Sequence, residues 1–202
     1  MNRRVALIIP FAALLVACGR STATDGAVTP VSPSAVVVDS SGVPTGAAHA
    51  MQGRLDVVVN MQDACDPETF NAPPLEPGTC VRAGGVTFYQ FIAELTRLGF
   101  IGPWRFSPST SNVEVGQAFV AINHGGEVHT FTEVAEFGGG RVPPLNELAG
   151  VPNVAPECAA LEPGDDDFVP AGGTFREAID RTGTLKFQCC IHPWMRLEAS
   201  SR

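Results

Sequence analysis

The sequence lacks the features that mark several common functional classes. Its 202 residues contain 13 Lys or Arg against 21 Asp or Glu, a formal net charge of −8. Nucleic-acid binding depends on a basic surface that neutralises phosphates, so this balance argues against a nucleic-acid partner. The six cysteines include no Cys-x-x-Cys pair, which is the usual pattern of thiol redox enzymes. EF-hand spacing of acidic residues is also absent. Any chemistry must therefore come from a small set of residues.

The N-terminus lacks an apolar run long enough to cross a membrane. Residues 5–17 are apolar and follow two arginines, whereas a spanning helix needs about 20 apolar residues. This pattern predicts a signal peptide over residues 1–17. Residues 15–18 resemble the bacterial lipobox, which implies cleavage before Cys18 and lipid attachment to its thiol; secretion with an unmodified Cys18 is the alternative. We therefore expect an exported protein, anchored to a bacterial membrane only by lipid and facing the periplasm or the exterior.

The rest of the chain divides by composition into a tether and one domain. Residues 18–50 are rich in Ser, Thr, Ala, Gly and Pro without a sustained pattern, which predicts a flexible linker. Residues 51–202 are sufficient for one domain with a sizeable core. Their short alternating segments, separated by turn residues, predict an all-β fold, a β-sandwich. The predicted strands cover residues 54–60, 104–107, 112–115, 117–123, 128–136, 173–179 and 183–189.

Two segments depart from this strand pattern. Residues 88–98 carry apolar side chains at helical spacing, with a capping-box pair at Thr87 and Gln90 and a terminal glycine at Gly99. This predicts one amphipathic helix added to the sandwich. Residues 138–173 are rich in Gly and Pro and predict an unusually long loop, a feature that in compact domains is usually functional or poorly ordered.

The stretch "FQCCIHPWMR", residues 187–196, concentrates metal-binding side chains. Thiolate, imidazole and thioether form a soft donor set that suits copper better than calcium or magnesium. Cys189 and His192 are separated by two residues on one tight turn after a strand, and Met195 follows three residues later. If Cys190 were the ligand instead, the spacing would be Cys-x-His; we favour Cys189. The loop offers one imidazole, so another ligand must come from elsewhere.

Two mid-chain histidines are candidates for that further ligand. The chain has four histidines, and His49 lies at the end of the linker. His124 is followed by two glycines and is expected at a turn. His129 begins a predicted strand, where the sheet can hold it rigidly. We therefore expect His129, rather than His124, to be the mid-chain ligand.

Taken together, "NHGGEVHTF" and "GTLKFQCCIHPWM" resemble the cupredoxin family of blue copper proteins, with a short ligand loop similar to that of amicyanin and plastocyanin. The resemblance covers about residues 103–198. It implies a Greek-key β-sandwich that holds one type 1 copper ion near one end. It also implies that His129, Cys189 and His192 are the strong ligands and that Met195 is a long axial ligand.

The resemblance also implies roles for two residues next to the ligands. In the family, the polar residue after the first histidine often ties the two ligand loops together by hydrogen bonding, and Thr130 stands there. The position after the cysteine ligand is often Ser or Thr, and here it is Cys190. A thiol is a poorer hydrogen-bonding partner than a hydroxyl, so this sequence departs from the family pattern in the surroundings of the metal.

The cysteine count is compatible with one thiolate ligand. In exported proteins cysteines tend to be lipidated, paired or metal-bound, and once Cys18 is assigned to lipid an odd number remains. Cys65 and Cys80 flank a Pro-rich loop, where a bridge closing about 15 residues would contribute roughly 3 kcal/mol. Adjacent strand residues face opposite ways, so Cys190 would point away from the metal. A bridge from Cys190 to Cys158 would complete the count.

These features favour a lipid-anchored electron carrier over three other classes. The expected partners are redox proteins such as a c-type cytochrome or an oxidase, and no catalytic residues are expected. The alternative is a copper-binding or copper-delivery protein with the same ligands, against which the absence of Met- or His-rich tracts argues mildly. A thiol enzyme built on Cys189 and Cys190 is disfavoured because these residues end a strand next to His-Pro. A metal-free adhesion sandwich would have no need for four such donors.

Overall fold

The structure, a computed structural model, describes residues 55–202. The predicted signal peptide, Cys18 and the linker lie outside the described residues. None of the helices between residues 55 and 202 has the length and hydropathy of a membrane span. The helices are α1 (Pro67–Phe70), α2 (Phe88–Leu98), α3 (Pro143–Leu148) and α4 (Pro156–Ala160). The strands are β1 (Val57–Gln62), β2 (Arg105–Ser107), β3 (Thr110–Val113), β4 (Ala118–Asn123), β5 (His129–Thr130), β6 (Thr132–Glu133), β7 (Phe168–Val169), β8 (Thr174–Ala178), β9 (Gly183–Gln188) and β10 (Arg196–Ser201).

Two four-stranded sheets form the body of the domain. One has the order β2-β1-β4-β8 and the other β3-β10-β9-β6, while β5 and β7 form a separate pair. Strands β1 and β4 run parallel, as do β3 and β10. Most neighbouring strands in each sheet are therefore not consecutive in the chain, as in Greek-key sandwiches. The all-β sandwich predicted from the sequence is confirmed.

The core lies where alternating side chains of the two sheets meet. In β10, Leu197 and Ala199 are buried, whereas the intervening Glu198 is exposed, as expected for a strand with one face on the core. Phe131 and Phe187 stack with their ring centroids 4.6 Å apart. Burying each of these rings contributes roughly 1.5–3 kcal/mol. This packing supports the end of β9, which leads directly into the predicted ligand loop.

Helix α2 has the bounds that the sequence predicts. The Thr87 side chain accepts from the backbone of Gln90, and the Gln90 side chain accepts from the backbone of Thr87. The helix ends at Leu98 and is capped by Gly99, whose φ of +75° favours glycine over any residue with a Cβ. Its buried residues are Phe91 and Leu95. Phe91 packs against the Trp104 ring at 4.9 Å, so α2 covers one end of the sandwich.

Two predicted segments differ from the structure. The strand predicted at 128–136 is interrupted at Phe131, because β5 pairs with β7 while β6 pairs with β9. The long loop predicted at 138–173 contains α3, α4 and β7, so that prediction was wrong in part. Both helices begin at proline, which is tolerated in a first turn where its missing N–H costs nothing. The Gly- and Pro-rich composition concealed them.

Candidate metal centre

Three of the four predicted ligands converge at one end of the sandwich. His129 begins β5, Cys189 follows the last residue of β9, and His192 lies on the turn after it. One ligand atom from each lies within 4.8 Å of the others. The exposed fractions are 0% for His129 and Cys189 and 2% for His192. Strand β6, which directly follows β5, pairs with the end of β9 through Thr132 and Gln188, and this pairing brings the His129 imidazole to the thiol of Cys189, sixty residues onward.

The spacing of these atoms fits a metal ion. The Cys189 Sγ lies 3.8 Å from the Nδ1 of His129 and 3.8 Å from the Nδ1 of His192. With bonds of about 2.3 Å to sulfur and 2.0–2.1 Å to nitrogen, donors 120° apart would stand about 3.8 Å from each other. Both sulfur–nitrogen distances therefore match those expected around one ion, and the three ligand atoms all lie within 4.8 Å of one another.

The Cys189 sulfur is held in an environment that favours thiolate. The backbone N–H groups of Thr130 and His192 both donate to it at 3.4 Å. Burial would raise the pKa of Cys189, but the His129 and His192 imidazoles lower that pKa to well below its usual range. Since thiolate is the form that binds metals, the site is arranged for a metal ligand.

The ligand loop closes on itself at Met195. The Met195 backbone N–H donates to the His192 carbonyl at 2.9 Å, and the Met195 carbonyl accepts from the Cys189 N–H at 3.0 Å. The Met195 side chain is fully buried. The Arg196 side chain donates to the Pro193 carbonyl at 2.7 Å. These bonds fix the turn that carries Cys189, His192 and Met195, which is where the sequence predicts the ligands.

A buried carboxylate that the sequence analysis missed orients His129. The Asp63 Oδ2 lies 2.9 Å from the His129 Nε2, and both side chains are almost completely buried. Asp63 also accepts from the backbone N–H groups of Gly126 and Glu127 at 2.9 and 3.0 Å. A carboxylate on Nε2 fixes the tautomer that turns the Nδ1 lone pair toward the metal position.

The contact between Asp63 and His129 shifts the pKa of both side chains. Burial alone would raise the pKa of Asp63, but the hydrogen bonds from His129 and from the backbone of Glu127 and Gly126 lower it to about 2. Burial would lower the pKa of His129, but its contacts with Asp63 and with Cys189 raise it to about 9. The pair is therefore strongly stabilised as an ion pair in the metal-free protein.

A second buried carboxylate, also missed from the sequence, faces His192. The Glu127 Oε2 accepts from the Trp104 indole N–H at 2.6 Å and lies 3.6 Å from the His192 Nε2. Burial raises the pKa of Glu127, although the positive charge of His192 and the Trp104 hydrogen bond oppose the rise. Each candidate imidazole ligand thus has an acidic side chain on the side away from Cys189.

The turn before His129 explains how Asp63 reaches it. A Cβ on Gly125 would overlap the Asp63 carboxylate, and one on Gly126 would meet the Sγ atoms of the Cys65–Cys80 bridge at 2.6 and 3.0 Å. Two consecutive glycines therefore allow this backbone to approach the end of β1 closely. The pair of glycines was the one sequence signal near His129 that pointed to such an approach.

The predicted residues around Cys189 lie in contact with the ligand loops. The Thr130 hydroxyl accepts from the Cys190 N–H at 2.7 Å, so it joins the strand of His129 to the strand of Cys189. The Cys190 side chain forms a disulfide with Cys158 and lies in a separate small apolar cluster with Val134. The two consecutive cysteines, which lie just after β9, thus face different apolar clusters, Cys189 the main core and Cys190 the smaller one.

The remaining cysteines and histidines among the described residues lie outside the cluster of His129, Cys189 and His192. Cys65 and Cys80 form a disulfide, and Cys189 is the free cysteine among the described residues. His124 is exposed and its Nε2 lies 2.9 Å from the Asn60 side chain, so it is not part of the cluster. His49 lies outside the described residues.

Comparison with known proteins finds likeness only among solved structures. No family model matches the chain, and no curated protein matches it. The purple cupredoxin of Nitrosopumilus maritimus is 13% identical, with a TM-score of 0.39 over 73% of this chain and 100% of that one. Plastocyanin from Dryopteris crassirhizoma is 19% identical, with a TM-score of 0.33 over 49% and 89%. A reduced mutant of amicyanin is 19% identical, with a TM-score of 0.34 over 50% and 77%. At these scores the function has to be argued from the site itself.

Proposed function

We propose that this protein binds one copper ion in a type 1 site and carries single electrons between redox partners. His129, Cys189 and His192 would be the strong ligands, and Met195 the weak axial ligand. The observation that carries the proposal is a fully buried free thiol with an imidazole Nδ1 at 3.8 Å on each of two sides. Two imidazoles, one thiolate and a nearby thioether are the donor set of blue-copper sites. Bound copper would supply the one-electron chemistry.

The contribution of the protein is to hold these donors still. Two backbone N–H groups donate to the Cys189 sulfur, Asp63 fixes the His129 ring, and Thr130 ties the two ligand strands together. A site held in this way moves little when the charge of the ion changes. We therefore propose a carrier rather than an enzyme.

The location of the protein is part of the same proposal. Two disulfides within the described residues support an oxidising compartment outside the cytoplasm. We propose that the protein is exported and held at a bacterial membrane by lipid on Cys18. A c-type cytochrome or an oxidase would be the redox partner.

The burial of the ligands argues against the alternative function, copper delivery. Delivery requires that an acceptor reach the ion, whereas His129 and Cys189 are fully buried and His192 is 2% exposed. To separate the two functions, reduction by a c-type cytochrome and loss of copper to a chelator are measured on the same sample. The carrier proposal expects fast reduction and slow copper loss; delivery expects the reverse.

A visible spectrum tests the site. One equivalent of Cu(II) added to the chain from residue 19 onward should produce a strong thiolate-to-copper band that mild reductant bleaches. Cys189→Ser should abolish this band. The matched control is the double variant Cys158→Ala with Cys190→Ala, which removes two cysteines near Cys189 and should keep the band. Colour that survives the Cys189 change, or that is lost only in the double variant, would show that the ligand is misassigned.

A further inference from the structure

An apolar pocket opens beside the candidate metal centre. It has a volume of about 420 Å³ and lies between α2, the segment after α1, and α3. Most of its wall residues are only partly buried, so solvent reaches the pocket. The principal wall residues are Leu75, Phe88, Phe91, Ile92, Leu145 and Leu148.

Glu127 and His192 are the two ionisable side chains in the lining of this pocket, and they lie next to one another. Glu127 and His192 both line it, and they are 7% and 2% exposed. Glu127 is held by the Trp104 indole N–H at 2.6 Å and by its own backbone N–H, which donates to Asp63 at 3.0 Å. A carboxylate has about four acceptor positions. The contacts with the Trp104 indole and with the His192 Nε2, at 3.6 Å, are both made by Oε2, so Oε1 of this rigidly held group keeps its acceptor capacity.

We propose that this pocket binds a small neutral aromatic molecule that carries a hydroxyl group, such as a phenol or a hydroquinone. The hydroxyl would donate a hydrogen bond to the Glu127 carboxylate, and the ring would pack between α2 and α3. A cavity of about 150 Å³ accommodates benzene, so this pocket has room for a substituted ring. Apolar walls with a few placed polar groups are typical of small-molecule sites.

The same features disfavour charged ligands. An anion would meet the buried Glu127 carboxylate, and both signs of charge would lose hydration against the apolar walls without a full set of partners. A neutral donor needs only one acceptor, which the Glu127 carboxylate provides. The proposal does not depend on a metal, although a ring bound there would lie against His192, which the proposed function makes a copper ligand.

Binding is measured on the metal-free chain from residue 19 onward by fluorine NMR. The probe is 4-fluorophenol, and 4-fluoroanisole is the matched compound without a hydrogen-bond donor. We expect saturable binding of the phenol and binding at least tenfold weaker for the anisole. Absence of saturable binding of the phenol at millimolar concentration, or equal binding of both compounds, would overturn the proposal.

Two variants on one helix locate the site. Ile92→Trp fills the pocket and should abolish phenol binding, whereas Tyr89→Trp, at an 82% exposed position of α2, should not change it. Thermal unfolding verifies that both variants are folded, and Leu145→Trp from α3 replaces Ile92→Trp if that variant is not. Unchanged binding in the filled variant would refute the assignment. Copper spectra of the same variants test the metal centre separately, since we expect both to keep their colour.

Discussion

The carboxylate of Asp63 provides the sharpest test of how this site is built. Asp63→Asn replaces one oxygen with an amide nitrogen of similar size. The new side chain is neutral and cannot form an ion pair with a protonated His129. It also loses part of its capacity to accept hydrogen bonds from the backbone N–H groups of Gly126 and Glu127. The change therefore removes a charge interaction with little change in volume.

The size of the effect on folding follows from the pKa of Asp63. That pKa falls from 3.8 to about 2 in the folded protein, which corresponds to about 2 kcal/mol of stability at neutral pH. Because the folded pKa is the lower one, this stability is present above pH 3.8 and is lost as pH falls toward 2. The pKa of His129 is raised to about 9, so its share is present below pH 6.5 and is lost as pH rises through 9. The pKa of His129 shifts further than that of Asp63 because Cys189 also contributes to it. The pKa shift of Asp63 is therefore the better measure of the interaction between Asp63 and His129.

The assay is denaturant unfolding of the metal-free protein across this pH range. The variant should be about 2 kcal/mol less stable than the parent at pH 7, and the deficit should shrink as pH falls from 4 toward 2. Asp180→Asn is the control because that side chain is 84% exposed, and its effect should be small. A competition titration with a chelator should show copper affinity about 10- to 100-fold weaker in the Asp63 variant. A deficit that is equal in both variants, or that does not change with pH, would refute the reasoning.

Three further variants test other contacts of the site. Gly125→Ala should displace the Asp63 carboxylate, because a Cβ there overlaps it, and should weaken copper binding about as much as Asp63→Asn in the same titration. Removing the first bridge with Cys65→Ala and Cys80→Ala should lower the free energy of unfolding by roughly 3 kcal/mol relative to the oxidised parent, measured with denaturant; reducing the parent, which also opens the Cys158–Cys190 bridge, should lower it further. Thr130→Val leaves a buried backbone N–H of the ligand loop without its acceptor and should cost about 1–3 kcal/mol; unfolding that is unchanged would show that this tie contributes nothing.

The parts of the fold that the sequence predicts well are those with local signals. Helix α2 is bounded by a capping box and a glycine within thirteen residues of chain, and the ligand loop is specified by the spacing of Cys189, His192 and Met195. Such patterns are read without knowing what lies elsewhere in the chain. The short helices at Pro143 and Pro156 have no comparable signal, because a helix of five or six residues is held by its contacts rather than by propensity.

The two carboxylates show why the rest of the site was not predicted. Asp63 and His129 are 66 residues apart in the chain, and Glu127 lies 23 residues from Trp104. An acidic residue in a loop is most simply exposed, and neither one shows a spacing typical of a metal site. Only the parallel pairing of β1 with β4 brings the segment of Asp63 next to the turn that precedes His129.

The disulfide between Cys158 and Cys190 has a consequence for how the protein matures. While that bridge is open, two neighbouring thiols compete for any soft ion that arrives, and only one of them has the correct spacing to His192. Oxidation joins Cys190 to Cys158 in a separate apolar cluster, so Cys190 no longer competes with Cys189. With copper bound as we propose, a bridge that closes before the metal arrives would leave Cys189 as the one free thiol among the described residues, an order of events that an oxidising compartment favours.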